Sequence, residues 1–348
     1  MRPARLRLRW LGLGFAAVIV ATIAGLAFGP VRLAPGPVAL ELLNQLPFVH
    51  THSGLDPREA AIVTQLRLPR VVLGLLVGAT LAVAGGCYQG VFRNPLAEPY
   101  LLGVSAGAGL GATFAIVSSA RAHATSGVTS LTVPPLAFVG ALVAVAMTYA
   151  LGAAGTRYRS PATLLLAGVA VSAFLTAAQT FLQQRNIDAI REVFSWLLGR
   201  LATSGWHDVL LLLPYSFVSV TTILVARRGL DVLAVGDEEA TSLGAHPRRI
   251  RYVLLIVASL GTAAAVSVSG LIGFVGIIVP HAVRLLFGAG YRVILPLSAL
   301  FGAAFLAVAD LVARTALSPA EVPIGVITAF AGAPFFVLVL RTSSRVAV

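Results

Sequence analysis

The sequence predicts an all-α polytopic membrane protein of about ten transmembrane helices, forming one domain over residues 1–348. Three observations carry that prediction. Hydrophobic residues make up 58% of the chain and charged residues 11%, too much apolar surface for a soluble core of 348 residues to hide. Apolar runs of ~17–25 residues, long enough to cross ~30 Å of hydrocarbon, recur between short polar breaks. Finally, the net charge of +12 resides in arginines that lie between the runs, where they orient helices and snorkel to headgroups rather than form a nucleic-acid surface.

The runs are 10–29, 71–91, 100–119, 134–153, 161–183, 207–226, 252–269, 272–288, 293–313 and 322–340. Arg2, Arg5, Arg7 and Arg9 precede the first. An Arg-rich start, an apolar run and Ala24-Gly25-Leu26-Ala27 also have the outline of a cleaved signal peptide, which would leave the orientation of the other helices unchanged. The second run is entered through Arg67-Leu68-Pro69-Arg70 and left through Arg93-Asn94-Pro95-Leu96-Ala97-Glu98-Pro99, a tight polar turn leading to the third. Gly103, Gly107, Gly109 and Gly111, and later Gly270, Gly273 and Gly276, allow close helix approach in lipid. Gly270 and Gly273 also divide one long apolar stretch, which reads either as two spans or as one span and a re-entrant piece.

Arginine placement puts residues 1–9, Arg157, Arg159, Arg227, Arg228, the loop 229–251 and the tail 341–348 on the cytoplasmic side. Both termini are then cytoplasmic. Arg67, Arg70, Arg121 and Arg314 fall outside and need a separate explanation.

The loop 229–251 is patterned. Asp237 can cap a short helix whose first turn holds Glu238 and Glu239, Gly244 suits a left-handed stop, and Pro247 lies just beyond. Such a helix, Asp237 to Leu243 after the apolar piece Leu230–Val235, would present Ala240, Thr241, Ser242 and Leu243 to a groove on a soluble partner.

Several chemistries are excluded by composition. All 25 basic residues are Arg, so no Walker A lysine exists and ATP hydrolysis must reside on another chain. The single cysteine, Cys87, sits in an apolar run and reads as a packing residue, leaving neither a disulfide framework nor a metal cluster. An intramembrane enzyme would need a paired base and nucleophile or a metal cluster, for which no His-Glu-x-x-His string is present, and an ion-coupled carrier would need intramembrane acids beyond Asp310. Asp310 is four residues before Arg314 and can pair with it along a helix face.

Taken in order, Arg67-Leu68-Pro69-Arg70, Gly78-Ala79-Thr80-Leu81-Ala82, Gln89, Arg93 to Pro99, Leu102 to Ala108, Gly273 to Arg284, Ala309 to Arg314 and Glu321 to Val326 resemble the motifs of the FecCD-type permease family. These are membrane subunits of ABC importers for ferric siderophores, haem and cobalamin. The resemblance covers about residues 60–340 and implies a non-enzymatic transport subunit of a bacterial plasma membrane, with ten spans and no cofactor of its own. It implies as partners a second copy of the chain or a paralogous permease, two ATPase subunits that hold ATP and Mg, an extracytoplasmic binding protein and the bilayer.

Residue roles follow from the same resemblance. The stretch Asp237, Glu238, Glu239, Ala240, Thr241, Ser242, Leu243, Gly244 corresponds to the coupling helix, while Arg67, Arg70 and Arg314 correspond to arginines that receive glutamates of the binding protein. A translocation path on a dimer axis would be lined by Ser160, Pro161, Thr163, Leu164, Gly168, Ser172 and Thr176. Asn94, Pro95, Glu98, Pro99, Pro280, His281, Arg284 and Asp310 are motif residues of structural role, His281 being expected as a satisfied packed histidine. Where many relatives have Trp-x-x-Gly-Ser, this chain has Trp196-Leu197-Leu198-Gly199-Arg200; with Arg185 and Arg191 this favours an anionic cargo, first a ferric siderophore, with haem or cobalamin as alternatives.

Overall fold

The computed structural model describes residues 6–45, 51–122, 126–154, 161–201, 205–242 and 244–343, so Ser160 and Leu243 lie outside the described residues. No strand occurs among them. In chain order the helices are α1 (Leu8–Ala27), α2 (Pro35–Asn44), α3 (Pro57–Ala61), α4 (Leu68–Phe92), α5 (Val104–Arg121), α6 (Ser126–Ala154), α7 (Pro161–Gln184), α8 (Ile190–Leu197), α9 (His207–Val225), α10 (Arg227–Ala234), α11 (Asp237–Ser242), α12 (Pro247–Ser269), α13 (Val275–Phe287), α14 (Tyr291–Thr315) and α15 (Ile324–Ser343). A π-helical segment, Ile62–Arg67, joins α3 to α4.

Helices α1, α4, α5, α6, α7, α9, α12, α13, α14 and α15 fall on the ten predicted runs. Seven of the ten are long and apolar enough to cross a bilayer unaided; α5, of 18 residues, is not among them, and α13 and the apolar part of α15, Ile324–Val337, are shorter. The 13 residues of α13 rise roughly 20 Å, well short of ~30 Å of hydrocarbon. The glycine-divided stretch is therefore one full helix, α12, a non-helical piece over 270–274, and a partial helix, α13.

Helix α4 is the axis of the subunit, buried along nearly its whole length and packed by α9, α12, α13 and α14. In lipid no hydrophobic force drives helices together, so close van der Waals approach must do it. At Gly85 that approach reaches its limit, because a Cβ there would sit 1.9 Å from the Gly276 carbonyl oxygen of α13. Gly85→Ala is expected to push α13 off α4 and destabilise the fold by about 1–3 kcal/mol. Labelling of Cys87, the sole and fully buried thiol, would report it: the variant should react at a lower temperature than the parent, and an unchanged labelling curve would refute the close-packing argument.

Helices α5, α6 and α7 form a second group beside this axis, and α1 leans on α14. The outward face of α7 carries Leu166, Val169, Phe174 and Phe181, and α15 carries Phe330, all exposed in the single subunit.

Candidate functional site

The end of the bundle bearing Arg93, Arg251 and α11 is termed the foot, and the end bearing Arg67, Arg70 and Arg314 the head. Three polar constellations lie at the foot, at mid-height and at the head.

At the foot, α4 ends in a Schellman turn: the Asn94 N–H donates to the Gln89 carbonyl at 3.1 Å and the Arg93 N–H to that of Gly90 at 3.3 Å. The left-handed residue of this turn is Arg93, φ 51°, where glycine is the usual occupant. Its side chain accounts for the exception. Arg93 Nε donates to the Leu233 carbonyl of α10 at 2.7 Å, and its guanidinium meets the Asp237 carboxylate. Arg251, near the start of α12, donates to the same carboxylate at 3.0 and 3.2 Å. Burial alone would raise the Asp237 pKa, but the hydrogen bond and charge of Arg251 and then those of Arg93 outweigh it and hold the carboxyl below its ordinary range. One acid thus ties α11 to both α4 and α12.

Helix α11 stops as expected, in a second Schellman turn with Gly244 at φ 77°, the Ala245 N–H donating to the Ala240 carbonyl and the Gly244 N–H to that of Thr241. Two expectations are corrected. Asp237 does not cap its own helix but cross-links it, and Ala240 is fully buried. The exposed surface is Glu238, Glu239, Thr241 and Ser242, whose hydroxyls are turned back to the Asp237 and Glu238 carbonyls. A helix of six residues shows only one face, and the apolar residue took the inner one.

At mid-height two non-helical segments meet. The segment after α4 turns on Asn94, whose Oδ1 accepts the Leu96 N–H at 2.9 Å, and carries Glu98, Pro99 and Tyr100 to the break at 270–274. Tyr100 Oη donates to the Ile272 carbonyl and accepts the Ile272 N–H, while Glu98 Oε1 accepts the Phe274 N–H at the start of α13 at 3.4 Å. A carboxylate there faces the positive end of the α13 dipole. Pro280 inside α13 cannot donate to the Gly276 carbonyl, and Gln89 Nε2 of α4 does so instead at 3.2 Å. Gln89 Oε1 in turn accepts from Arg284 at 3.2 Å. His281 departs from expectation: its ring lies edge-on to Phe335, but Nδ1 is buried and has no hydrogen-bond partner among the described residues.

Beside this junction a cavity of about 500 Å³ is lined by Leu197, Leu198, Leu271, Phe274, Val326 and Phe330. The α7 residues expected along a path are arranged differently. Leu164 is buried against α6 near Gly152, and Gly168 lets the Leu101 carbonyl approach. Thr163 and Ser172 are half-buried and Thr176 is exposed; at Pro161 only the backbone is described. Small residues that read as a smooth lining serve helix contact inside the subunit, so Leu164 and Gly168 do not line a path here.

At the head, Asp310 is 2% exposed and lies between two arginines. Arg314 Nε is 3.0 Å from its Oδ2, the pairing four residues along α14 that the sequence suggested. Arg70 Nε and Nη2 donate to Asp310, and Arg70 also forks onto Glu321 at 2.9 and 3.0 Å. Arg67 and Arg314, 6% and 5% exposed, donate to the C-terminal carbonyls of α1 and its following turn, Gly25 and Leu26 among them. The expectation of arginines presented to a docking partner is corrected for Arg67 and Arg314 in this arrangement, whose cations satisfy helix-end carbonyls and a buried acid inside the subunit, whereas Arg70 stays 15% exposed beside Glu321.

Gln89, Arg93, Arg251 and Glu321 were not assigned roles from sequence. Gln89 had a signal, a lone amide within an apolar run; the others pair with residues distant in the chain. Among the described residues no group of His, Cys, Asp and Glu is arranged to hold a metal ion.

The arrangement matches known transport proteins over nearly its whole length. The family model described as the FecCD transport family matches residues 17–342. The cobalamin import system permease protein of Halobacterium salinarum is 48% identical over 288 residues, 83% of this chain and 75% of that protein. An Fe(3+)-citrate import system permease of Bacillus subtilis is 36% identical over 89% of this chain and 90% of its own length. The hemin transport system permease of Yersinia pestis is 41% identical, covering 79% of this chain and 82% of that one. Among solved structures, a metal-chelate type ABC transporter in an inward-facing conformation superposes with a TM-score of 0.82 at 28% identity, covering 97% of this chain and 100% of the other. With its helices, its foot and its motif residues in that order, this chain belongs to the FecCD transport family and is a multi-pass ABC importer permease.

Proposed function

We propose that this permease passes a bulky metal chelate through a homodimer, driven by two ATPase subunits at the foot and supplied by a binding protein at the head. The observation that carries the reading is the Asp237 bridge, because Arg93 begins one mid-height segment and Arg251 lies on the helix that ends at the other. A push on α11 therefore reaches both pieces of irregular backbone that meet at Glu98 and Phe274. Backbone without helical hydrogen bonds is tolerated in a membrane where protein or a water-filled cavity covers it, and it is where a path can change shape.

A second copy would have to pack by close fit on the exposed apolar side chains of α7 or of α15, Phe174 and Phe330 among them. The 500 Å³ cavity between α8 and α15 includes Phe330 and lies next to the mid-height junction, where cargo would pass between the subunits. A cytoplasmic foot is supported by the arginine distribution, and nucleotide binding on a partner by the lack of lysine in this chain.

Within chelates, a ferric siderophore is supported by Arg185, Arg191 and Arg200, all exposed near the head. A specific observation favours a corrinoid as second reading: identity is 48% to the cobalamin permease against 36% and 41% to the citrate and hemin permeases. Proteoliposomes holding the permease, its ATPase and its binding protein should accumulate labelled ferric hydroxamate or labelled cobalamin only with ATP. Accumulation by the permease alone, against a gradient, would overturn the reading.

A further inference from the structure

A groove between α1, α13 and α14 plays no part in the function argued above. It encloses about 620 Å³ and is lined throughout by apolar side chains, Leu13, Ala17, Val20, Ala282, Phe301 and Val308 among them. Along α13 it runs from Ile278 to Phe287, a rise of about 13 Å at ~1.5 Å per residue, close to half of the ~30 Å hydrocarbon core. One end is at mid-height and the other, at Phe287, points toward the foot; on α1 the lining runs from Leu13 to Ala21 and on α14 from Phe301 to Val308. The groove thus has the length of a single leaflet's acyl chain.

Its foot end is chemically different from its walls. Phe287 stacks on Phe301 with centroids 5.6 Å apart, Trp10 packs edge-on to Phe287 at 5.5 Å, and the Arg7 guanidinium lies 5.2 Å over the Trp10 ring. Arg9 and, five residues beyond Phe287, Arg292 are also exposed. None of the three arginines has an acid partner among the described residues. A tryptophan under the Arg7 guanidinium at the Phe287 end of an apolar slot of leaflet length, with Arg9 and Arg292 exposed on the same end of the bundle, is complementary to a molecule with an anionic head and a hydrocarbon tail.

We propose that this groove binds an anionic phospholipid, one acyl chain lying between α1 and α13 and α14, its phosphodiester held by Arg7, Arg9 and Arg292 beside Trp10. The lipid would fill the slot between α1, α13 and α14 and fasten α1 to the two helices behind it.

The test uses the full-length permease released from nanodiscs containing equal amounts of phosphatidylglycerol and phosphatidylcholine with identical acyl chains, read by native mass spectrometry. Retained adducts should favour phosphatidylglycerol by roughly tenfold or more, as expected for two or three guanidiniums at a membrane surface. Arg7→Gln with Arg9→Gln and Arg292→Gln should abolish the preference. Ala17→Phe should remove the adduct while leaving all three arginines in place, and Leu13→Trp, at a position 54% exposed and so harmless to folding, provides the same test should that variant misfold. Equal retention of the two lipids, or a preference that survives either the arginine or the groove variants, would overturn the proposal.

Discussion

Asp237→Arg is expected to stop uptake while ATP hydrolysis by the assembled transporter continues. The Asp237 carboxylate is the one group that joins α11 to both Arg93 and Arg251, and a third guanidinium in its place would repel both. Coupling free energies between sites act on the scale of roughly 5- to 150-fold, and the ratio of molecules moved to ATP consumed should drop by a factor of that order. Partial recovery is expected when Arg93→Asp is added, since an opposite pair is restored although Arg251 stays unpaired. The link should also survive mild acid. A carboxyl whose folded pKa is depressed contributes stability above its unfolded pKa and loses it as pH falls through the folded value, so the Asp237 contribution is complete at neutral pH and disappears only in stronger acid. Uptake and hydrolysis measured together in proteoliposomes decide the matter. If both fall in proportion, Asp237 serves assembly rather than transmission; if neither changes, the bridge is incidental.

Asp310→Asn is expected to cost about 3–5 kcal/mol of stability, the usual penalty for removing one partner of a buried ion pair and leaving the others unmatched. Asp310 is almost wholly buried, and both Arg70 and Arg314 face it. The same arginines lead to α1 through Arg314 and to Glu321 through Arg70, so the loss should loosen the head end of α1, α4 and α14 together. Glu321→Gln is the matched control. Its side chain is 48% exposed, and a surface pair contributes about 0–1 kcal/mol. Thermal melting of the purified permease, with Cys87 labelling as a second readout, should separate the two variants widely. An Asn variant with parental stability but no transport would reassign Asp310 from scaffold to transport.

Particular residues show how far the sequence could be read. The ten apolar runs, the short foot helix with its glycine stop and the Asp310–Arg314 pair all follow from local rules, because length, capping and four-residue spacing need no knowledge of distant chain. Gln89 illustrates the limit. Its amide was visible in the sequence, but that it replaces the N–H which Pro280 lacks depends on α4 and α13 touching at Gly85 and Gly276. Arg67, Arg70 and Arg314 illustrate it again: the order of spans puts them on the outer side and the family resemblance implies docking, and only the apposition of α1, α4 and α14 shows which groups they meet.

From its residues alone the protein is a many-span membrane subunit of a known transport family, without a lysine to make a Walker A motif, carrying a patterned foot. Tertiary structure decided which face of each helix is lipid, neighbour or cavity, and so which polar groups meet. The reason is physical: a helix with apolar residues on every side has no amphipathic stripe to announce its inner face, and in lipid that face is chosen by the fit of small residues and by the few polar groups that must find one another.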